Sequence, residues 1–156
     1  MSVAERLSEL GFELPPPAAP VGTYRAALRS GNWILTSGQL AMRNGTIVYA
    51  GRLGAEQEIE AGREAAQLAT LNALAAVHTL HGSLDGLRVV RLVGYVASTP
   101  EFTRHPTVVD GASELLRELF GEEAGVGTRL ALGVASLPLN SPVEVDLILE
   151  VGGVEV

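Results

Sequence analysis

Leu87-Arg88-Val89-Val90-Arg91-Leu92-Val93-Gly94-Tyr95-Val96-Ala97-Ser98 is the stretch that decides the fold. Valine and leucine dominate it, so it reads as a central β-strand, with Gly94 as a weak point in the pattern. It is too apolar on both faces to lie against water. Before it, residues 57–80 carry the longest helical pattern of the chain. That pattern opens Glu-rich, as the positive end of a helix dipole favours, and turns apolar on nearly every side after Ala65. Its small side chains permit close approach to a sheet. After it, Val108 to Phe120 predicts a second helix, with Leu115, Leu116, Leu119 and Phe120 on one buried face and Gly121 as its stop.

Further outward, Arg129 to Ala135 and Val143 to Val151 read as the last two strands. They are separated by Leu137-Pro138-Leu139-Asn140-Ser141-Pro142. Toward the N-terminus, Tyr24–Leu28 and Trp33–Ser37 predict a hairpin around Ser30-Gly31-Asn32, and a short strand at Thr46–Tyr49 follows the Asn44-Gly45 turn. Val3 to Leu10 has helical spacing, and Pro15-Pro16-Pro17 makes the segment after it a stiff, extended arm. The order β-β-β-α-β-α-β-β predicts one α/β (α+β) domain, a mixed sheet with two long helices on a single face. The other face then needs cover, and self-association would supply it, with pockets at the subunit seams.

Composition narrows the chemistry. The chain has 156 residues, 47% of them hydrophobic, and a formal charge of −7. That charge argues against broad nucleic-acid binding, which draws most of its affinity from cationic neutralisation of phosphates. All eleven basic residues are arginine. Without lysine there is no side-chain amine for Schiff-base chemistry, and any cationic anchor must be a guanidinium. The absence of cysteine excludes disulfides, thiol nucleophiles and zinc-thiolate sites, which fits a cytoplasmic setting. The first fourteen residues, interrupted by Glu5, Arg6, Glu9 and Glu13, lack the pattern of a signal peptide, and no stretch has the length of a membrane span.

Three ordered segments resemble the Rid (YjgF-like) family: Ile34-Leu35-Thr36-Ser37-Gly38-Gln39, Arg129 leading eight residues later into Leu137-Pro138, and Val143-Glu144-Val145-Asp146. The resemblance covers roughly residues 20 to 151, and residues 106–116, from Pro106 to Leu116, look like a longer YjgF-like subgroup. It divides the chain into an N-terminal helix and proline-rich arm at 1–20 and a YjgF-like domain at 21–156. It implies a chorismate-mutase-like fold, a homotrimer with clefts between subunits, and a metal-free, cofactor-free hydrolysis of enamine or imine acids to 2-keto acids and ammonia. Other members have been called ribonucleases or translation inhibitors, and fold membership alone does not settle the chemistry.

By the same resemblance Arg129 grips the substrate carboxylate, as its planar fork suits, and Glu144 positions or deprotonates water. Tyr24 borders the cleft, Ser37 and Gly38 bring backbone near the ligand, and Asp110 stands at a position that is often Asn. For each a plainer role exists: an ion-pair arginine, a solvated glutamate in strand alternation, a packing tyrosine, a strand end, a helix-start aspartate. Leu130 and Ala131 follow Arg129 where relatives commonly carry a hydroxyl or thiol, so at Ala131 only backbone can contribute. The alternative function is a non-catalytic protein that binds small carboxylates such as 2-keto acids. His78, His81 and His105 read as structural, no metal-ligand spacing is present, and residues 121–127, glycine-rich but without Lys or Ser/Thr, read as a flexible loop near the cleft.

Overall fold

Val143, Val145, Leu147 and Leu149 alternate with Glu144, Asp146, Ile148 and Glu150, and the four apolar side chains of the first set are fully buried. That period of two makes β8 (Val143–Val151) the centre of the main sheet. In the computed structural model, which describes residues 1–152, the path is β1-β2-β8-β6-β7. The strands are β1 (Ala27–Ser30), β2 (Trp33–Thr36), β6 (Leu87–Ala97) and β7 (Thr128–Val134). β3 (Gln39–Leu40) also pairs with β8. Only β6 and β7 are parallel, joined by helix α3 (His105–Gly125), while β1, β2, β8 and β6 pair antiparallel. The architecture is therefore the mixed α+β domain expected. Among the described residues there are three α-helices, the short α1 (Val3–Glu9) adding Val3 and Leu7 to the same core.

The deciding strand contains a device its composition did not reveal. Val89 pairs with Leu149 but Arg91 with Ile148, leaving Val90 as an extra residue in a β-bulge. The bulge moves the inward set from Leu87 and Val89 to Leu92, Gly94 and Val96. Val93 and Ala97, on the opposite set, are buried as well, so the second half of the strand is apolar on both faces.

Helix α2 (Ile59–His81) is buried nearly continuously from Ala65 to Val77, packed against both the sheet and α3, which itself lies on β6 and β7. Its Asn72 amide donates to the carbonyls of Leu40 (3.0 Å) and Met42 (2.9 Å), pinning the chain where β3 passes into β4 (Met42–Arg43). Two glycines set the helix approach. A Cβ on Gly94 would stand 2.5 Å from Val109 Cγ2, and one on Gly111 would meet the Arg63 carbonyl group, with its carbon 2.9 Å away.

Several boundaries differ from expectation. The first strand starts at Ala27 rather than Tyr24, because Ser37 ties the preceding bend by donating its N–H to Ala26 O and its hydroxyl to Arg25 O. The strand expected at Thr46–Tyr49 is only β5 (Thr46–Ile47), paired with β4 across Asn44 and Gly45, both at positive φ; Tyr49 at φ 56° cannot extend it. Gly121 (φ 84°) interrupts α3, yet the chain resumes a helical turn to Gly125. The stretch expected as a loop is helical as far as Gly125 and mostly exposed, but its backbone runs close to neighbours at two points: a Cβ on Gly125 would meet Leu116 O, and one on Gly127 would lie 2.6 Å from Val89 O.

Gly111→Ala tests the helix contact, since the obstructing group is backbone and cannot rotate away. Denaturant unfolding is expected to show a loss of about 1–3 kcal/mol, whereas Gly82→Ala, with open space around it and a positive φ, probes backbone strain alone.

Candidate functional site

Arg129 lies on β7, a free sheet edge, in the row Leu147–Leu92–Arg129 on the helix-covered face. Its guanidinium reaches α3, where Nη1 donates to Asp110 Oδ1 (2.6 Å) and Ser113 Oγ (3.2 Å). Nε and Nη2 have no partner among the described residues, so half of the fork stays open to an anion. A pocket of about 260 Å³ adjoins it, lined also by Thr128, Arg117 and Glu122. Asp110 is not at a helix start, as α3 begins five residues earlier, at His105; its carboxylate serves Arg129 instead. Ala131 shares Arg129's face, while Leu130 points to the bare face and is exposed.

Glu144 belongs to a different place. It lies in the row Leu40–Glu144–Tyr95–Leu132, on the bare face of the sheet. Gly38 sits so close that a Cβ there would displace the Glu144 carboxylate from its present position. Burial raises the Glu144 proton affinity above the ordinary carboxylate range, and the neighbouring Asp146 charge adds to it. Asp146 is raised by burial too, opposed by the Tyr95 hydroxyl that donates to its Oδ2 (3.1 Å) and by Arg91. Burial, then the Asp146 charge, holds the Tyr95 phenol above its usual value.

Glu144, Gly38 and Tyr24 line one large cavity, roofed by the arm from Gly11 to Val21. Tyr24 is half exposed and its hydroxyl accepts from Val21 N (3.2 Å). Ser37 does not line it: its hydroxyl is spent on the Arg25 carbonyl (2.6 Å). Arg129 is two strands and three residues away from Glu144, roughly 14 Å between backbones at ordinary strand spacing, and on the opposite face. Within one protomer, therefore, Arg129 and Glu144 do not share a pocket.

A family profile described as "YjgF/chorismate_mutase-like, putative endoribonuclease" matches residues 4–151. The chain belongs to the YjgF/chorismate-mutase-like family. This YjgF-family protein is 40% identical to Protein TCP17 of Trypanosoma cruzi over 149 residues, covering 95% of this chain and 93% of the relative. Among solved structures it is similar to Atu1372 of Agrobacterium tumefaciens, a protein of unknown function (40% identity, TM-score 0.88, 97% and 93% of the two chains). It is also similar to a Shewanella oneidensis protein described as a "putative endoribonuclease" (38%, TM-score 0.93, 97% and 100%). The family match reaches into α1, further toward the N-terminus than the sequence motifs alone.

The sequence motifs pointed to Arg129 and Glu144 in this YjgF-family chain but not to the side chains that contact or adjoin them. Ser113 lies one helical turn after Asp110, and Asp146 two residues after Glu144 on one strand face, so both were within reach of periodicity. Tyr95 could be found only from the pairing of β6 with β8. His78 and His81 fall in the last turn of α2, and His105 faces Ser98 Oγ (3.0 Å) and the edge of Phe102. Among the described residues no three His, Cys, Asp or Glu side chains converge, and no helix is long and apolar enough to cross a membrane.

The raised Glu144 carboxyl gives a pH prediction. A carboxyl with a folded pKa above its unfolded value favours folding at low pH and loses that contribution as pH rises through the folded pKa. Glu144→Gln is accordingly expected to raise Tm at pH 7, with the gain fading toward zero near pH ~4, where the unfolded carboxyl itself protonates. Thermal melts at the two pH values check the sign.

Proposed function

We propose that this protein hydrolyses small 2-imino or enamine acids to 2-keto acids and ammonia, at a cleft completed between subunits of a homotrimer. The observation carrying this reading is the half-open Arg129 fork on a free sheet edge. Asp110 and Ser113 hold one nitrogen, so the unpaired Nε and Nη2 are oriented to receive a carboxylate bidentately. Glu144 supports the second half: with its proton affinity raised by burial, it suits proton transfer nearer neutrality than an ordinary carboxylate.

The two halves meet only if copies join head to tail. β7 and β1 are the two ends of the sheet path, and a closed ring sets the β7 edge of one copy beside the Tyr24–Gly38 side of the next. The exposed Trp33, Leu35 and Leu130 of the bare face support such burial. In the ring, Arg129 docks the substrate carboxylate beside a neighbour's Glu144. Glu144 takes a proton from water as the oxygen adds to C2 of the imine. The nitrogen receives that proton, and the carbinolamine collapses to the C=O group with release of ammonia. No lysine, cysteine, metal or cofactor enters this scheme, and backbone near Gly38 and Ala131 borders the substrate. The setting proposed is cytoplasmic.

The alternative, non-catalytic binding of 2-keto or related carboxylic acids, is favoured by one observation: Ala131 and Leu130 supply no hydroxyl beside the anchor. The ribonuclease description of a relative finds no support in a charge of −7.

Subunit mixing tests the seam. Arg129→Ala and Glu144→Gln are each expected to lower keto-acid release by about 10²-fold or more. Co-assembled in equal amounts, they should regain about a quarter of wild-type turnover, because random rings rebuild that share of intact seams. Unimpaired turnover in either variant would remove the mechanism, and failure to regain activity in verified mixed trimers would remove the shared site.

A further inference from the structure

The cavity beside Glu144 is far larger than a three-carbon substrate needs. It measures about 1240 Å³, against about 260 Å³ beside Arg129. Glu144 and Gly38 lie among its polar lining, while Phe12, Leu14, Leu40, Met42, Leu71 and Leu139 make much of the rest apolar. Three successive prolines, Pro15 to Pro17, form part of its roof. Their φ angles are set by the ring, so that wall is preorganised rather than ordered on binding.

A second observation comes from Leu139. It is 67% exposed, yet it lines this cavity in a left-handed conformation (φ 56°) that leucine rarely adopts. The conformation is held from both sides: Asn140 N donates to Leu137 O (3.2 Å), and Gly51 N donates to Asn140 O (2.9 Å). Glycine would satisfy that backbone without strain, and a polar residue would suit the exposure. A strained leucine kept in the open points to an apolar contact supplied from outside this chain.

We infer that the cavity receives the side chain of a bulky apolar 2-imino or 2-keto acid, branched aliphatic or aromatic, with Leu139 closing over it. The inference rests on the proposal that the site takes 2-imino acids and adds the class of side chain. The carboxylate goes to Arg129, C2 stays near Glu144, and the side chain runs under the arm between α2 and Leu139. Removal of apolar area from water then supplies selectivity over small substrates.

The test compares imino acids made in place by an amino-acid oxidase from alanine, leucine and phenylalanine, followed as the loss of semicarbazide-trappable imine. The leucine- and phenylalanine-derived imines should exceed the alanine-derived one in kcat/KM by about tenfold or more. Leu139→Ala should cut that ratio about threefold or more with the oligomeric state unchanged. Equal turnover of all three imines overturns the inference and leaves the deaminase reading standing. So does an altered oligomer with unaltered selectivity in Leu139→Ala, since Leu139 would then contact a neighbouring copy. Calorimetry with phenylpyruvate and pyruvate separates the two claims. Tighter binding of phenylpyruvate without any imine turnover supports the cavity and sinks the deaminase. Equal binding, or none of either, overturns the cavity.

Discussion

Everything in this molecule is referred to β8. Its strict alternation commits Val143, Val145, Leu147 and Leu149 to the helices and thereby forces Glu144, Asp146, Ile148 and Glu150 to the bare face. A shift of one residue would bury the carboxylates against α2 and expose the core, so the register is held by the whole apolar layer. Gly94 and Gly111 let that layer close, one toward Val109 and the other toward the backbone of α2. The chemistry available on the bare face is a consequence of how tightly the opposite face packs.

That constraint explains the electrostatics. Glu144 and Asp146 stand on the same strand face beside Tyr95, partly removed from water in a single copy. Desolvation raises both proton affinities, the Asp146 charge adds to the effect at Glu144, and the Tyr95 hydroxyl and Arg91 offset part of it at Asp146. Arg129, on an edge strand and the covered face, is in a different setting. It is paired to Asp110 in an exposed geometry that contributes little to stability and leaves the guanidinium available.

The solved relatives with 38–40% identity keep the fold across nearly the full chain, and they range from a protein of unknown function to a "putative endoribonuclease". Fold kinship therefore fixes where strands and helices lie and leaves chemistry to the particular side chains at the edges and under the arm. In this chain those include an aspartate at 110, alanine at 131, a triple-proline arm and a strained Leu139.

Local periodicity was enough to place both long helices, the central strands and the one-sided layering, because burial repeats every two residues in a strand and every three or four in a helix. Residue type alone was enough to remove lysine and cysteine chemistry, while Arg129 and Glu144 were pointed to only by the resemblance of the ordered motifs to the family. What it could not supply depends on contacts between distant segments. The bulge at Val90 is visible only in register with β8, Ser37 turns to Arg25 only once the hairpin closes, and Asp110 meets Arg129 only through the parallel pairing of β6 and β7. The separation of Arg129 from Glu144 is of the same kind. Spacing along a chain defines a side chain's place in its own element, whereas long-range pairing decides which strand is an edge, which face it shares, and so which residues of one copy can act on the same molecule.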